Sequence, residues 1–543
     1  ALDILSGSPV PQHAYFHSSP LYPWFVALVM SVSESLDAVR IAQIGVGVLT
    51  VFLLIQLGQR AFSRMAAIAT GVFAALYVPF IFFEAEFLEI TLVMAFVTAM
   101  LVLLMDTAER LESSEQKEPG SGAGRLRAAA AGLLLGLAAL GKPNLLLFAP
   151  VGAVWLATRG FGRYGGRPSR GGANSWVRSG IVFFLLTGLT ILPATTHNYR
   201  VEGDLIPVSS NGGINLWIGN HEGASGMFGV PPEMRLDLRM SSEAVAERAT
   251  GRDLSAGKVS DYWAGRALDF MRENPSQWLR LTARKFALFW NHYEIPNHYH
   301  LGFVKRFAPV LEVPVGTFAV VAPLGLLGLA LGWRRRRAAP LLGAFAVTFM
   351  ASVLPFFITG RYRLAITAAL IPAAGFALVE FWRLARERRV GALISGLATV
   401  AVLAVVVNAD LVEFTTAPMH NTVGAILGRR GDMEEAVDAF RKAVEEDPRD
   451  ISSRYNLGRA LMDLRMPAEA ERHFRVATKL HPGYHEAWIG LGRSLAVQDE
   501  LGGAVESWRR VLTADPPAPP AAREEAQALI EQAESLTTGD TGR

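Results

Sequence analysis

Residues 87–106 read FLEITLVMAFVTAMLVLLMD, a stretch in which Glu89 opens an apolar run that continues to Met105. A run of about 20 apolar residues is long enough to cross a bilayer as a helix. The whole chain of 543 residues is 51% apolar and 19% charged, whereas an ordinary soluble domain carries about 25% charged residues. This composition excludes a disordered chain and a soluble enzyme built around one core, and it indicates a helical membrane protein.

Nine further apolar blocks share this character, so the sequence predicts an all-α bundle with about ten membrane spans. Two of the blocks are short, and residues 24–30 form a still shorter segment that we expect to lie at the membrane interface. The ten predicted blocks are 38–59, 63–83, 87–106, 127–141, 143–158, 178–195, 311–333, 339–358, 364–384 and 390–409.

Basic residues are distributed very unevenly between the two sets of connections. One set of short loops holds 19 Lys and Arg residues and the opposite set holds 4, namely Arg40, Lys142, Arg361 and Arg363. Because cytoplasmic loops collect the basic residues, the opposite face is predicted to be periplasmic in a bacterial inner membrane. That face also carries the long loop 196–306 and the chain after Asp410. The same pattern argues against a nucleic-acid partner, and the absence of cysteine excludes thiol chemistry.

A 34-residue period appears after about residue 417, and it predicts tetratricopeptide repeats. Residues 411–543 carry 16 basic and 22 acidic residues, so we expect an acidic, water-facing α-solenoid that ends in a capping helix over 521–537. Four columns repeat in step: Gly424, Gly458 and Gly492; Ala436, Ala470 and Ala504; Phe440, Phe474 and Trp508; Pro448, Pro482 and Pro516.

Three carboxylates stand close together at the outer membrane surface: Glu84, Glu86 and Glu89. Charged residues at a membrane boundary are often functional, and these could act as bases, metal ligands or cation sites. Like charges and partial burial would raise the pKa of such a carboxyl group. The alternative is that all three are solvated loop residues.

Outward-facing cations are the natural partners of an anionic ligand. Lys142 lies alone in the sequence Gly-Lys-Pro-Asn, and Arg361 and Arg363 flank Tyr362, while Arg40 is a further candidate. Arginine forks and a lysine ammonium both suit phosphate oxygens, so we expect these residues to hold a phosphate. The alternatives are a lysine that snorkels to the interface and arginines that contact ordinary lipid headgroups.

The long outer loop supplies candidate sugar or acceptor contacts at Asn211, Asn215, Trp217 and Asn220, together with Tyr362. A run of glycines and asparagines that serves only a turn is the alternative. Residues 261–290 are predicted to form one amphipathic helix lying on the membrane. His292, Glu294, His298 and His300 are weak candidate ligands for a divalent metal, the one cofactor considered, because their spacing matches no strong metal motif.

Over residues 1–410 the chain resembles the polyprenyl-phosphate-dependent GT-C glycosyltransferases, the protein O-mannosyltransferase and aminoarabinose-transferase group, including bacterial members with fused tetratricopeptide repeats. The order of the motifs, together with the predicted topology, carries the resemblance. These motifs are the proline-rich segment Tyr15–Trp24, Ala38–Arg40, Phe87–Glu89, Gly141–Asn144, Asn198–Arg200, Gly212–Asn220 and Gly360–Leu364.

The resemblance implies transfer of a hexosyl or pentosyl group, with inversion, from a polyprenyl phosphate to an acceptor hydroxyl on the periplasmic face. Glu89, supported by Glu84 and Glu86, would activate the acceptor or bind metal. The family's first-loop acidic motif would lie about a dozen residues before Ala1. We therefore expect the chain to begin inside a longer protein with eleven spans.

The expected partners are a polyprenyl-phosphate sugar, lipids, a protein or glycan acceptor, and a protein bound by the repeats. The main alternative function is a non-catalytic membrane scaffold whose periplasmic repeats recruit partner proteins. A transporter of lipid-linked sugars is a further alternative, but the candidate residues all lie on one face and the sequence reveals no inverted repeats.

Overall fold

The computed structural model describes residues 16–117, 123–159, 172–231, 234, 238–296, 301–305, 308–313, 315–335, 339–412, 416–514 and 518–539. The regular elements in these ranges are helices, and an isolated parallel β-bridge joins Met227 to Ile358. The all-α prediction is therefore confirmed. The chain divides into two compact units, Ala1–Leu411 and Val412–Arg543.

The first unit contains the apolar helices and the elements of the outer loop. Three short 3-10 turns, at Pro143–Leu147, Pro309–Glu312 and Leu364–Ile366, interrupt the helices. The helices are α1 (Leu21–Met30), α2 (Leu36–Ala61), α3 (Arg64–Ala75), α4 (Val78–Ala85), α5 (Ile90–Lys117), α6 (Ala123–Gly141), α7 (Phe148–Arg159), α8 (Gly172–Glu202), α9 (Gly212–Gly219), α10 (Leu238–Thr250), α11 (Ala256–Glu273), α12 (Pro275–Trp290), α13 (Leu301–Val304), α14 (Phe318–Arg335), α15 (Ala339–Val353), α16 (Gly360–Arg363), α17 (Thr367–Arg386) and α18 (Val390–Val407).

Each of the ten predicted blocks contains a helix, and the chain is a multi-pass membrane protein. Among the described residues, six helices are long and apolar enough to cross a membrane, or seven if α3 and α4 form one bent span. These two helices meet at 48°, and Pro79, which has no N–H to donate, lies in the first turn of the second one. The remaining three blocks form shorter apolar helices, Pro143–Thr158, Phe318–Trp333 and Ala339–Val353.

The single amphipathic helix predicted over 261–290 is wrong. The structure has two helices, α11 and α12, because Asn274 leaves the helical conformation and Pro275 begins a new helix. Trp263 and Phe270 of α11 are buried against Ile214 and Trp217 of α9. The apolar face of α11 therefore covers the helix that carries several candidate ligand contacts.

In its described residues the second unit has three helix pairs and a capping helix, as the 34-residue period predicts. Gly458 lies so close to the next helix that a Cβ there would come within 2.8 Å of the Phe474 ring, which explains why glycine and aromatic columns repeat together. The helices are α19 (Ala417–Arg430), α20 (Met433–Glu446), α21 (Ile451–Asp463), α22 (Pro467–Leu480), α23 (His485–Val497), α24 (Leu501–Leu512) and α25 (Pro520–Gly539).

The turn inside each repeat has one left-handed residue, and these residues are again 34 apart: Gly431, Arg465 and Asp499, with φ of 93°, 59° and 62°. A non-glycine residue in this conformation carries steric strain that glycine avoids. We expect Arg465→Gly to raise the free energy of unfolding of a Val412–Arg543 fragment by about 0.5–1 kcal/mol. Urea denaturation followed by circular dichroism measures it. Arg465→Val should destabilise the fragment, and equal stability of both variants would contradict the argument.

Candidate functional site

A cavity of about 470 Å³ lies in the first unit, where α1, the segment around Lys142, the start of α9 and the end of α15 come together. Glu89, Lys142 and Arg361 are the charged side chains among the described residues that line it. One carboxylate therefore stands beside two cations. The other lining residues are Ser18, Ser19, Tyr22, Pro23, Gly141, Pro143, Asn144, Ser209, Asn211, Gly212, Asn215, Ser352, Val353, Phe356 and Tyr362.

Glu89 and Lys142 meet because the helices that carry them pack closely. A Cβ at Gly141 would come within 2.5 Å of Val93 and 2.9 Å of Leu21, so only glycine allows this approach. Glu89 stands directly before α5 and Lys142 directly after α6. The Lys142 Nζ lies 2.7 Å from the Glu89 Oε1, and each side chain is 14% exposed.

Arg361 and Tyr362 complete the cationic wall of the cavity. They lie in the short helix α16, whose first turn is held by Thr359, since its Oγ1 accepts the Tyr362 N–H at 3.2 Å. The Tyr362 ring packs against both cations, with the Lys142 Nζ 4.2 Å and the Arg361 Cζ 5.2 Å from its centroid. The buried Nε of Arg361 has no hydrogen-bond partner among the described residues. This guanidinium N–H is therefore unsatisfied in the unliganded site.

The electrostatic environment of Glu89 differs from the one predicted. Burial raises its pKa, but Lys142 and Arg361 more than offset this, and the pKa of Glu89 falls to about 2. Glu89 is therefore ionised at neutral pH. Burial does raise the pKa of Glu86, as expected from its neighbourhood, although Arg40 opposes the shift.

The three predicted carboxylates do not converge. Glu84 lies against α2, where a Cβ at Gly47 would overlap its carboxylate, and neither Glu84 nor Glu86 lines the cavity. The Glu86 carbonyl accepts a hydrogen bond from Gln43 Nε2 at 2.8 Å. Glu89 is the predicted acid that the structure brings to the candidate site.

Arg363 and Arg40 also lie outside the cavity. Arg363 is 2% exposed and pairs with Glu294 at 2.9 Å, while it donates to the backbone carbonyls of Asn291 and Tyr293. This guanidinium holds the chain that follows α12 and is not free to bind a phosphate. Arg40 pairs with Asp37 at 3.1 Å on the surface of α2.

Of the predicted sugar or acceptor contacts, Asn211, Asn215 and Tyr362 line the cavity. Trp217 and Asn220 do not, because both side chains are buried on the inner side of α9. Trp217 packs on Trp263 with ring centroids 5.8 Å apart. Asn220 donates to the Leu216 and Pro355 carbonyls at 2.8 and 2.6 Å, which is a structural role.

The described residues include two of the four candidate metal ligands, His292 and Glu294. His298 and His300 lie outside the described residues, and Glu294 pairs with Arg363. In the described part of the chain, no three His, Cys, Asp or Glu residues come together as metal ligands would. His292 and Glu294 therefore have no third such neighbour there.

Sequence reasoning missed several residues of the cavity. Tyr22 lines it, and its hydroxyl donates to Gln43 Oε1 at 2.5 Å. Asn144 donates to Ser352 Oγ at 2.8 Å, joining two distant segments across the cavity wall. Tyr22 and Asn144 both belong to motifs that carry the family resemblance, and that membership could have marked them as candidate site residues. Ser352 gave none, since it lies at the end of an apolar helix.

A further missed residue, Lys285 of α12, is fully buried, and desolvation lowers the pKa of its ammonium group to about 7 from 10.5. Between these pH values the Lys285 amine is protonated in the unfolded chain and mostly neutral in the folded protein. The free energy of unfolding should therefore rise with pH from about 7 to about 10. The difference between folded and unfolded pKa corresponds to about 1.4 kcal/mol per pKa unit.

Thermal unfolding in detergent at several pH values tests this linkage. We expect wild-type protein to gain stability between pH 7 and pH 9.5 relative to the Lys285→Met variant. Parallel pH profiles for the two proteins would contradict it. Lys258→Met, at an exposed lysine of α11, serves as the matched control because removal of its charge should leave the profile unchanged.

The family comparison agrees with the resemblance inferred from the sequence. Residues 17–165 match the family described as dolichyl-phosphate-mannose-protein mannosyltransferase, and this segment includes Glu89 and Lys142. Residues 417–450 and 455–519 match tetratricopeptide repeat families. The full sequence has no match among curated proteins.

Three solved structures are similar to parts of the chain. An oligosaccharyltransferase from Archaeoglobus fulgidus, in its apo form, is 12% identical with a TM-score of 0.43, over 75% of this chain and 49% of its own. ArnT from Cupriavidus metallidurans, bound to undecaprenyl phosphate, is 15% identical with a TM-score of 0.37, over 94% of this chain and 73% of its own. The first tetratricopeptide domain of Spaghetti (RPAP3), bound to an HSP90 peptide, is 23% identical with a TM-score of 0.21, over 23% of this chain and 94% of its own.

The chain thus combines a multi-pass membrane unit, similar over residues 17–165 to the dolichyl-phosphate-mannose-protein mannosyltransferase family, with C-terminal tetratricopeptide repeats.

Proposed function

We propose that the protein is a glycosyltransferase of the bacterial inner membrane that moves a sugar from a polyprenyl phosphate to an acceptor hydroxyl at the periplasmic face, with inversion. The observation that carries this proposal is the convergence of Glu89, Lys142 and Arg361 in one cavity. A carboxylate beside two cations suits a reaction in which a proton is accepted and a phosphate leaves. The family match at residues 17–165 supports the same reaction class.

Lys142 and Arg361 are the proposed phosphate ligands. The charged groups that line the cavity sum to one positive charge, which favours an anion. Arg361 offers the unpaired Nε, and Lys142 offers an ammonium group that Glu89 and the Tyr362 ring already hold in place. Both cations would strengthen their contacts as negative charge grows on the departing phosphate, which lowers the barrier to transfer.

Glu89 is the proposed base for the acceptor hydroxyl. With a pKa of about 2 in the unliganded site, it is a weak base while Lys142 pairs with it. A donor phosphate that draws Lys142 and Arg361 toward itself would weaken their hold on the carboxylate. The pKa of Glu89 would then rise, so that donor binding would activate the base at the moment when an acceptor can be used.

Asn211, Asn215 and Tyr362 are the proposed contacts to the sugar or the acceptor. The asparagine amides can both donate to and accept from sugar hydroxyls, and so can the tyrosine hydroxyl. The tetratricopeptide unit is proposed to bind a protein, either the acceptor or an accessory partner, on the periplasmic side. We also propose that the reaction depends on a divalent metal. Loss of transfer when a chelator is added would support this, and unchanged transfer would contradict it.

Binding of undecaprenyl phosphate to the full-length protein in detergent tests the phosphate site. We expect Arg361→Ala to weaken binding by about 10–100-fold, since it removes a charge-assisted contact of about 1.5–3 kcal/mol. Arg252→Ala, which removes an exposed arginine of the same outer loop, should leave affinity unchanged. Equal losses in both variants would indicate attraction by overall charge, and no loss in either would overturn the proposed site.

A further inference from the structure

Lys285 is a buried charged residue that the proposed reaction does not use. Its side chain is fully buried, and its Nζ donates to the Asn220 Oδ1 at 2.9 Å and to the Pro355 carbonyl at 3.3 Å. Burying an ammonium group costs free energy unless its donors are satisfied.

The two contacts of Lys285 belong to two segments that each supply residues to the cavity. Asn220 directly follows α9, the helix whose N-terminal end presents Asn211 and Asn215. Pro355 begins the segment that presents Phe356 and leads to Arg361 and Tyr362. Lys285 stands on a third element, α12, and is not among the lining residues.

Other contacts show that the segment before Arg361 is held along its length. The Asn220 Nδ2 donates to the same Pro355 carbonyl at 2.6 Å, and Ile358 N donates to the Gly226 carbonyl at 2.9 Å. A Cβ at Gly219 would come within 2.5 Å of the Phe356 carbonyl oxygen. The backbone between Pro355 and Ile358 therefore rests directly on the outer loop, and Lys285 joins the two at the Pro355 end.

We infer that Lys285 is a positioning residue that fixes the segment carrying Arg361 relative to α9, and so sets the place of the guanidinium that binds the donor phosphate. Lys285 does not line the cavity and touches no reacting group, so its effect passes through Pro355 and Asn220. The inference rests on the proposed phosphate site, because Arg361 is the group that it positions.

A double-mutant cycle measured with undecaprenyl phosphate tests the inference in the full-length protein. Lys285→Met keeps the length of the side chain and removes its donors. We expect this change to weaken binding about tenfold in the wild-type background and less than about twofold in the Arg361→Ala background, because coupled residues are not additive. Lys258→Met, at an exposed lysine of the same loop, should change binding in neither background.

Three results would overturn the inference. Equal weakening by Lys285→Met in both backgrounds would mean a general structural effect, and unchanged binding in a folded variant would mean no effect at all. If Arg361→Ala binds undecaprenyl phosphate normally, both the proposed phosphate site and the inference fail. If Arg361→Ala weakens binding but Lys285→Met does not, only the inference fails.

Folding of each variant is checked by its thermal midpoint in detergent. If Lys285→Met does not fold, Lys285→Gln takes its place in the same cycle, since it keeps a donor but cannot span both acceptors. A second readout follows from steady-state transfer: the KM for the donor should rise and kcat should fall as well, because a displaced Arg361 would stabilise both the bound and the departing phosphate less. An unchanged KM together with an unchanged kcat would contradict a role in positioning the phosphate ligand.

Discussion

Replacement of Glu89 by Gln is expected to lower the rate of sugar transfer by about 10²–10⁴-fold, the range that general-base catalysis contributes. The substitution keeps the shape of the side chain and removes its ability to accept a proton. It also removes the ionic partner of Lys142, whose Nζ lies 2.7 Å from the Glu89 carboxylate in the unliganded site. Donor binding should therefore be retained or strengthened while kcat falls, and steady-state kinetics with varied donor separate the two parameters.

Glu222→Gln is a matched control, because it makes the same change at an exposed outer-loop residue. It should leave kcat within about twofold of wild type. A Glu89→Gln enzyme with full kcat would show that Glu89 only holds Lys142 in place. The acceptor proton would then go to another group.

Replacement of Arg363 by Ala is expected to destabilise the membrane unit by about 3–5 kcal/mol, the cost of removing one partner of a buried ion pair. The Arg363 guanidinium pairs with Glu294 and donates to carbonyls after α12, and its Cζ lies 4.1 Å from the centroid of the Phe318 ring. Its loss would leave a carboxylate and several carbonyls buried without their donor. The thermal midpoint in detergent measures the effect.

Arg361→Ala removes the same side chain two residues earlier and serves as the control for stability. Because it lines a cavity and its Nε has no partner among the described residues, its loss should change the midpoint little. The reverse ranking, with Arg361 the more important for stability, would contradict the roles that we assign to the two arginines.

The spans and the repeats were predictable from sequence because each follows a simple physical rule. A membrane span needs a length of apolar residues, and the block 390–409 became the helix Val390–Val407. Each repeat needs the same packing contact. The glycine column that contains Gly458 and the aromatic column that contains Phe474 therefore recur at the same spacing, because the two residues pack closely together. Neither inference needs knowledge of distant contacts.

The candidate site was predictable only in part. Lys142 and Arg361 stood out because cations are unusual on the outer face, and both line the cavity. The neighbouring Arg363 gave the same signal but points inward, because side chains two residues apart on a helical turn diverge by about 200°. Trp217 and Asn220 were ambiguous for the same reason, since a polar or aromatic residue on a short helix can face a ligand or the core.

The pairing of Glu89 with Lys142 was not predictable, because it depends on where α5 and α6 approach each other. The sequence suggested that neighbouring glutamates would raise the pKa of Glu89. Its nearest charges are in fact two cations, Lys142 and Arg361, which lie 53 and 272 residues further along the chain. Electrostatics at a site follow from distances in space, which the order of residues leaves open.

Transfer itself is the most direct test of the central claim. The full-length protein is supplied with radiolabelled polyprenyl-phosphate sugars and cell-envelope acceptors, beside the Glu89→Gln and Arg361→Ala variants. We expect the wild type to label an acceptor, Glu89→Gln to lose almost all activity and Arg361→Ala to lose most of it at low donor concentration. Transfer by both variants at the wild-type rate would contradict the site, and no transfer from any donor by folded wild-type protein would favour a scaffold that acts through its repeats.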